Sequence, residues 1–151
     1  MGLYVPTSYE EYIEVLDAFT NGDPDGNGVD GDTFGVSAAG FINGEAPYVQ
    51  YLPEFWQDAY PTFYQKEDGT WVDGFTEDSM KEAIQRLQDA YNAGYIEKET
   101  RTNATSDCRP KFWENKFGIF TYWPGSWQQR LSEGLATNGY DEKSIPIHPC
   151  H

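Results

Sequence analysis

The stretch Asp23-Pro24-Asp25-Gly26-Asn27-Gly28-Val29-Asp30-Gly31-Asp32 packs four carboxylates and one amide into ten residues, with no basic side chain among them. Like charges held this close repel, so either solvent or a cation must relieve them. The order matches the start of an EF-hand loop. Asp23 stands at its first position, Asp25 at the third, Asn27 at the fifth and Gly28 at the sixth, where a sharp bend is needed. Val29 stands at the seventh and would offer its backbone carbonyl. Ca²⁺ is a hard cation that takes roughly six to eight oxygens, and this set is all oxygen. Gly31 and Phe34 fall where the remaining ligands belong, and neither has a side-chain oxygen. The loop is therefore an incomplete EF-hand, which Asp30 or Asp32 would close together with water or a more distant acid. The expectation is a structural Ca²⁺ clip at 23–32, set against the alternative of a solvated Asx-turn loop.

A second group of residues suits sugar chemistry. Trp123 ends the apolar run "FGIFTYW" and Trp127 follows four residues on. Ligands of open α/β sheets bind beyond the carboxyl ends of strands. An indole face suits the flat C–H face of a sugar ring, and Ser126, Gln128 and Gln129 could bond hydroxyls. Trp56, in an aromatic and irregular stretch, joins Trp123 and Trp127 as a ligand-contact candidate. Trp71, Trp113 and Phe120 read as core. No nucleophile with a neighbouring base, no phosphate loop and no internal histidine is visible, and no two carboxylates stand out as a glycosidase pair. The chain is read as a binding protein, not an enzyme.

These residues need elements to hold them. "PTSYEEYIEVLDAFT" predicts a helix with Thr7 and Glu10 as a capping box and an apolar stripe of Tyr9, Tyr12, Ile13, Leu16 and Phe19, stopped by Asn21-Gly22. "TFGVSAAG" predicts a strand that Gly40 ends. "PTFYQKEDGTWVDG" predicts a hairpin with a type I′ turn at Asp68-Gly69. "TEDSMKEAIQRLQDAYNAG" predicts a helix capped by Thr76, with a stripe of Met80, Ala83, Ile84, Leu87 and Tyr91, and ended by Gly94. Residues 97–109 read as loop and "RPKFWENK" as a short helix. "FGIFTYW" reads as a buried strand, and "PGSWQQRLSEGLATNG" as a helix capped by Ser126 and ended near Gly139. "KSIPIHP" reads as a last strand limited by its prolines. The mixture of helices and strands gives an α/β, helix-rich class.

Composition sets the limits. A chain of 151 residues suits one domain with a real core, and 17% aromatic content excludes a disordered one. A formal charge of −15 and a pI near 4.2 argue against nucleic acid and anionic surfaces. No apolar run reaches membrane-spanning length. Cys108 and Cys150 could pair or remain free thiols, and "HPCH" at 148–151 is too close to an end to argue for a metal.

The motifs together resemble a known family. "VPTSYEEYIEVLDAFTNGDPDGNGVDGDTFGVS", "DSMKEAIQRLQDAYNAGYIEKE" and "FWENKFGIFTYWPGSW" follow, in order, the signatures of family 1 extracellular solute-binding proteins of sugar ABC transporters. The resemblance implies a lobe of a periplasmic-binding-protein-like type II fold, in a chain covering a central stretch of a protein about three times longer. It implies capture of a mono- or oligosaccharide between two lobes, delivery to ABC permease subunits, and a cell-surface lipoprotein whose anchor lies outside this segment. It also implies a structural Ca²⁺ held by Asp23, Asp25, Asn27, the Val29 carbonyl and Asp32, since Asp32-Thr33 matches the family's closing "DT". The alternative is a calcium-stabilised carbohydrate-binding module or insertion domain of a secreted glycoside hydrolase.

Overall fold

The first helix begins later than its sequence suggests. The structure is a computed structural model that describes residues 2–39, 52–122 and 124–140, with the backbone alone at 124–126. In it α1 runs Tyr9–Asn21. Ser8 is the N-cap, its Oγ accepting from the Glu11 N–H at 3.2 Å. Glu11, not Glu10, reaches back, and its Oε2 accepts from the Thr7 N–H and Thr7 Oγ1 at 2.7 and 2.8 Å. The capping motif is shifted by one residue because Ser8 is the extended residue at which the helix starts.

The remaining elements are β1 (Phe34–Val36), α2 (Pro53–Trp56), β2 (Phe63–Gln65), β3 (Trp71–Asp73), α3 (Asp78–Asn92), α4 (Thr105–Trp113), β4 (Phe117–Ile119) and α5 (Pro124–Thr137). Short 3-10 turns lie at Gly74–Thr76 and Lys98–Arg101. β1 and β4 are parallel, in register Phe34↔Phe117 and Val36↔Ile119. On the other side of β1, the Val36 N–H donates to Tyr95 O at 3.1 Å and Val36 O accepts from the Glu97 N–H at 3.0 Å, a parallel bridge to Ile96. The chain ends of β1, Ile96 and β4 therefore point the same way, which sets up one carboxyl edge.

α1 lies across β1 and β4. Two glycines permit the close approach. A Cβ at Gly35 would come within 2.8 Å of the Leu16 Cα and Cβ, and one at Gly118 would overlap the Phe19 ring. The main core joins Tyr12 and Leu16 of α1 to Val36, Leu52, Phe55, Ala90, Ile96, Cys108 and Phe117. Phe55 makes T-shaped pairs with Tyr9 and Tyr12 at centroid distances of 6.1 and 5.7 Å, an arrangement favoured by the ring quadrupoles.

Several sequence expectations are corrected. Thr76 does not cap α3. It sits in the preceding 3-10 turn with its hydroxyl on Asp73 O, and Glu77 takes the cap position. Ile84 is 54% exposed, and Ala90 takes its place on the buried face. Gly94 does end the helix. Its N–H donates to Tyr91 O and the Tyr95 N–H to Ala90 O, a Schellman pair. The hairpin forms in register Tyr64↔Val72, but only Gly69 has a positive φ, +85°. With the Gly69 N–H on Lys66 O, the turn centres on Glu67 and Asp68, followed by a glycine bulge, in place of a type I′ pair.

Residues 105–108, expected as loop, belong to α4. The Ala104 N–H donates to Asp107 Oδ2 at 2.9 Å, which fixes the helix start upstream of the "RPKFWENK" stretch. β4 stops at Ile119, short of the expected 117–123 strand. α5 starts at Pro124, so Ser126 is inside it and does not cap it. The expected strand at 143–149, His148, Cys150 and His151 lie outside the described residues.

Candidate functional site

The acidic loop is clamped between α1 and β1. Thr33 Oγ1 donates to Phe19 O at 2.8 Å, Thr20 Oγ1 donates to Leu16 O at 2.8 Å, and the Gly35 N–H donates to Thr20 Oγ1 at 3.1 Å. The two threonines tie the loop's exit to the helix end. Within the loop, Asp23 has φ +47° and Gly26, Gly28 and Gly31 have φ between +70° and +78°, a coil that side chains bearing Cβ rarely adopt. Asp23 accepts from the Asn27 and Gly28 N–H groups through its two oxygens, both at 3.1 Å. Asn27 Nδ2 donates to Asp25 Oδ2 at 2.9 Å and to Asp32 Oδ2 at 2.7 Å, while Asn27 Oδ1 accepts from the Val29 N–H at 2.7 Å.

This network brings together Asp23, Asp25, Asn27 and Asp32 and leaves Asp30 exposed outside it. The donors fit a hard divalent cation by chemistry: three carboxylates, one amide oxygen and the Val29 carbonyl. Here the Asn27 amide N–H atoms bridge Asp25 to Asp32. Among the described residues no group of three or more His, Cys, Asp or Glu side chains is gathered as a metal would need.

The carboxyl edge of the parallel strands holds a closed polar network that sequence reasoning missed. Ser37 follows β1 and donates through Oγ to Glu97 Oε2 at 2.5 Å. Asn103 Nδ2 donates to Glu97 Oε2, Ser37 Oγ and Ala38 O. Lys111 Nζ reaches Glu97 Oε1 at 2.7 Å, Glu99 Oε2 at 2.5 Å and Asn103 Oδ1 at 3.0 Å. Ser37, Glu97 and Asn103 are all buried. Burial opposes charge on Lys111, but the bonds and charges of Glu97 and Glu99 outweigh it and hold its pKa above the ordinary lysine value. A buried carboxylate so fully paired satisfies the interior and has little capacity left for a ligand.

Beyond the end of β4 lies a cluster of aromatic rings and arginines. Arg109 of α4 lies over the Trp127 ring of α5 at 3.6 Å from its centroid and donates from Nη2 to Tyr122 OH at 3.1 Å. Arg109 is also over the Tyr122 ring at 4.9 Å, and Tyr122 meets Trp127 edge-on at 6.0 Å. Arg130 covers the same indole at 5.0 Å. Gln128 and Gln129 are exposed on α5. No local pattern announces this group, because it arises where α4 packs on α5.

Of the expected sugar-contact residues, Trp127 is half-buried here. Trp56 is 7% exposed and packs with Ala59, Met80 and Ala83, so its place is in a core. Trp123 lies outside the described residues. Trp71, expected in the core, is 67% exposed on the hairpin. Phe120 packs on Phe112 and Phe117 as expected of a core ring, and Trp113 covers Gly134.

No protein-family model matches the sequence. Curated relatives do. Lipoprotein LipO of Bacillus subtilis (strain 168) is 34% identical over 66% of this chain and 19% of its own length. The polygalacturonan/rhamnogalacturonan-binding protein YtcQ of the same organism is 25% identical over 80% of the chain and 23% of its length. The fructooligosaccharide ABC transporter substrate-binding protein FusA of Streptococcus pneumoniae serotype 4 is 29% identical over 82% of the chain and 23% of its length. Among solved structures, S. pneumoniae FusA in complex with kestose superposes with a TM-score of 0.62 at 27% identity, over 81% of this chain and 25% of that one. An extracellular solute-binding protein of Bifidobacterium longum subsp. infantis gives 0.61 at 23% identity, over 91% and 29%. The chain thus spans about a fifth of the curated relatives it matches. The resemblance to extracellular solute-binding proteins holds in sequence and in fold, the fold is of the periplasmic-binding-protein-like type II kind, and the relatives named by function are binding proteins.

Proposed function

We propose, from the premise that this chain is a stretch of a family 1 extracellular solute-binding protein, that it forms part of one lobe of the carbohydrate-binding component of an ABC importer. The parent protein captures an extracellular sugar or oligosaccharide and hands it to the permease subunits. It catalyses nothing. A lipid anchor outside this segment would hold it at the cell surface. The observation that carries the reading is the agreement of sequence and fold on one neighbour, the S. pneumoniae protein whose complex contains kestose. The carboxyl edge of β1 and β4 supports it, because ligands of such sheets bind there. In this reading Trp127 belongs to the aromatic wall on this side, and the other lobe supplies the opposing wall.

The loop at 23–32 takes a structural Ca²⁺ in this reading. Asp23, Asp25, Asp32, the Asn27 amide oxygen and the Val29 carbonyl would hold it. A bound ion would neutralise the carboxylates and fix the junction of α1 and β1. Binding would require Asn27 to present Oδ1 in place of the N–H groups it now gives Asp25 and Asp32.

Calorimetric titration of the full-length parent with fructooligosaccharides and pectin-derived oligosaccharides tests the function. Saturable binding of at least one is expected, with weak or no binding by the 151-residue chain alone, since this reading puts the opposing wall on the other lobe. Failure of the parent to bind any saccharide would sink the reading. Tight binding by the isolated chain would favour a self-contained binding module.

A further inference from the structure

The hairpin of β2 and β3 turns aromatic rings outward. Its register sets Phe63 opposite Asp73 and Gln65 opposite Trp71, so these four side chains share one face, with Phe63 and Trp71 as diagonal neighbours. Phe63 is 70% exposed and Trp71 67%. Tyr64 and Val72, on the other face, are half-buried. A solvated antiparallel face is ordinarily polar. The two strands form a sheet of their own, and among the described residues none from 60 to 75 belongs to either buried core cluster. The base of the hairpin is nonetheless fixed. The Gly74 N–H donates to Thr62 O at 3.0 Å, and a Cβ at Gly74 would overlap Tyr60 O.

A two-stranded hairpin is marginal in water and gains stability from a third strand or a packed face. Clustered exposed apolar rings mark a surface that something covers. Three occupants compete for this one: a saccharide, a second copy, and another part of the same polypeptide. The polar side chains between the rings speak against the first. Gln65 Nε2 donates to Gly69 O at 2.9 Å, and Asp73 Oδ1 accepts from the Phe75 N–H at 3.1 Å. Both are turned onto the hairpin's own backbone. A saccharide needs partners for its hydroxyls as well as a ring to stack on, whereas an apolar protein surface does not. A second copy would bring another chain of formal charge −15, which opposes association. A surface on the same polypeptide is held nearby by its tether, at an effective concentration on the order of millimolar. The polypeptide for it exists in the relatives. The chain spans 19%, 23% and 23% of them, which leaves about four fifths of such a protein outside it.

We propose that Phe63 and Trp71 form an intramolecular docking face, buried in the parent protein against an apolar surface of the polypeptide that lies outside this segment. The inference rests on the chain being a stretch of a longer protein, and not on what that protein binds.

Hydroxyl-radical footprinting of the unliganded full-length parent, read by mass spectrometry, tests this without a substitution. Trp71 should be oxidised as slowly as the buried Trp56, and both Trp71 and Phe63 far more slowly than in the denatured parent. In the 151-residue chain Trp71 should react near its denatured rate while Trp56 stays slow, which shows that the chain is folded. Trp71→Ser should lower the melting temperature of the parent by several degrees, as loss of a buried ring does. In the 151-residue chain it should leave the melting temperature unchanged. Trp71 reacting in the parent at its denatured rate overturns the proposal, and so does a Trp71→Ser parent as stable as the unmodified one. Protection that appears only when fructo- or pectin-derived oligosaccharides are added makes the face a saccharide site and overturns it. Protection that appears only as the parent's concentration rises makes it a contact between copies and overturns it too. A parent that binds no saccharide yet protects Trp71 ends the sugar-binding reading and leaves this one standing. A parent that binds saccharide with Trp71 still reactive does the reverse.

Discussion

The Asn27 side-chain amide donates to the Asp32 carboxylate at 2.7 Å, five residues along the loop. That single bond separates the two acids that the local pattern left equivalent. Asp32 is drawn in and half-buried, whereas Asp30 is exposed. The reason lies just downstream, where Thr33 is anchored to Phe19 O and turns Asp32 toward the loop.

Ca²⁺ added to chelator-treated protein should therefore raise its melting temperature. At about a hundredfold excess over Kd, linkage gives roughly 2.7 kcal/mol. Asp25→Ala and Asp32→Ala should abolish the response in scanning calorimetry, and Asp30→Ala should keep it. An Asp30→Ala protein as insensitive as Asp32→Ala would reverse the assignment.

Lys111 holds a buried carboxylate, so Lys111→Met should destabilise by about 3 kcal/mol in urea titration. Adding Glu97→Gln to that variant should recover part of the loss, because the orphaned charge is what costs most. The sign with pH follows from the raised folded-state pKa. Its contribution should be whole below the ordinary lysine value of 10.5 and fade as pH climbs through the higher folded value. A Lys111→Met protein whose stability curve parallels that of the unmodified chain up to pH 11 would refute this.

Cys108 is buried among Ser37, Glu97, Lys111 and Arg109, and burial pushes its thiol from 9.0 up to about 11. Native protein should resist a thiol reagent at pH 8 and react only on unfolding. The same shift makes the thiol favour folding below pH 9, with about 2 to 3 kcal/mol lost as pH rises from 9 to 11. Rapid labelling of folded protein at pH 8 would show that the side chain is reachable.

Gly118 gives Phe19 of α1 its place on the sheet. Gly118→Ala should cost about 1 to 3 kcal/mol, the usual result of overpacking. Leu16→Ala, at a fully buried position on the same helix, should cost about 2 to 5 kcal/mol. Unchanged denaturation midpoints for both would mean that α1 does not pack where it is placed here.

The sequence by itself determined what depends on neighbours along the chain. The apolar stripe of α1, the stop at Gly94 and the glycine-spaced acids of 23–32 were legible because capping, helical spacing and loop coordination act over a few residues. The order of the motifs also carried the likeness to solute-binding proteins. Only the tertiary structure decided what depends on which elements meet. Ser37, Glu97, Asn103 and Lys111 close one network from positions as far as 74 residues apart, and none of them stood out alone. Trp56 is buried and Trp71 exposed, against their sequence readings, because burial is set by what packs on a ring and not by the ring itself. Arg109 stood where the loop read at 97–109 meets the short helix read at "RPKFWENK". It reaches Trp127 because Asp107 starts α4 early and α4 then lies on α5, a contact between separate helices that no local periodicity encodes.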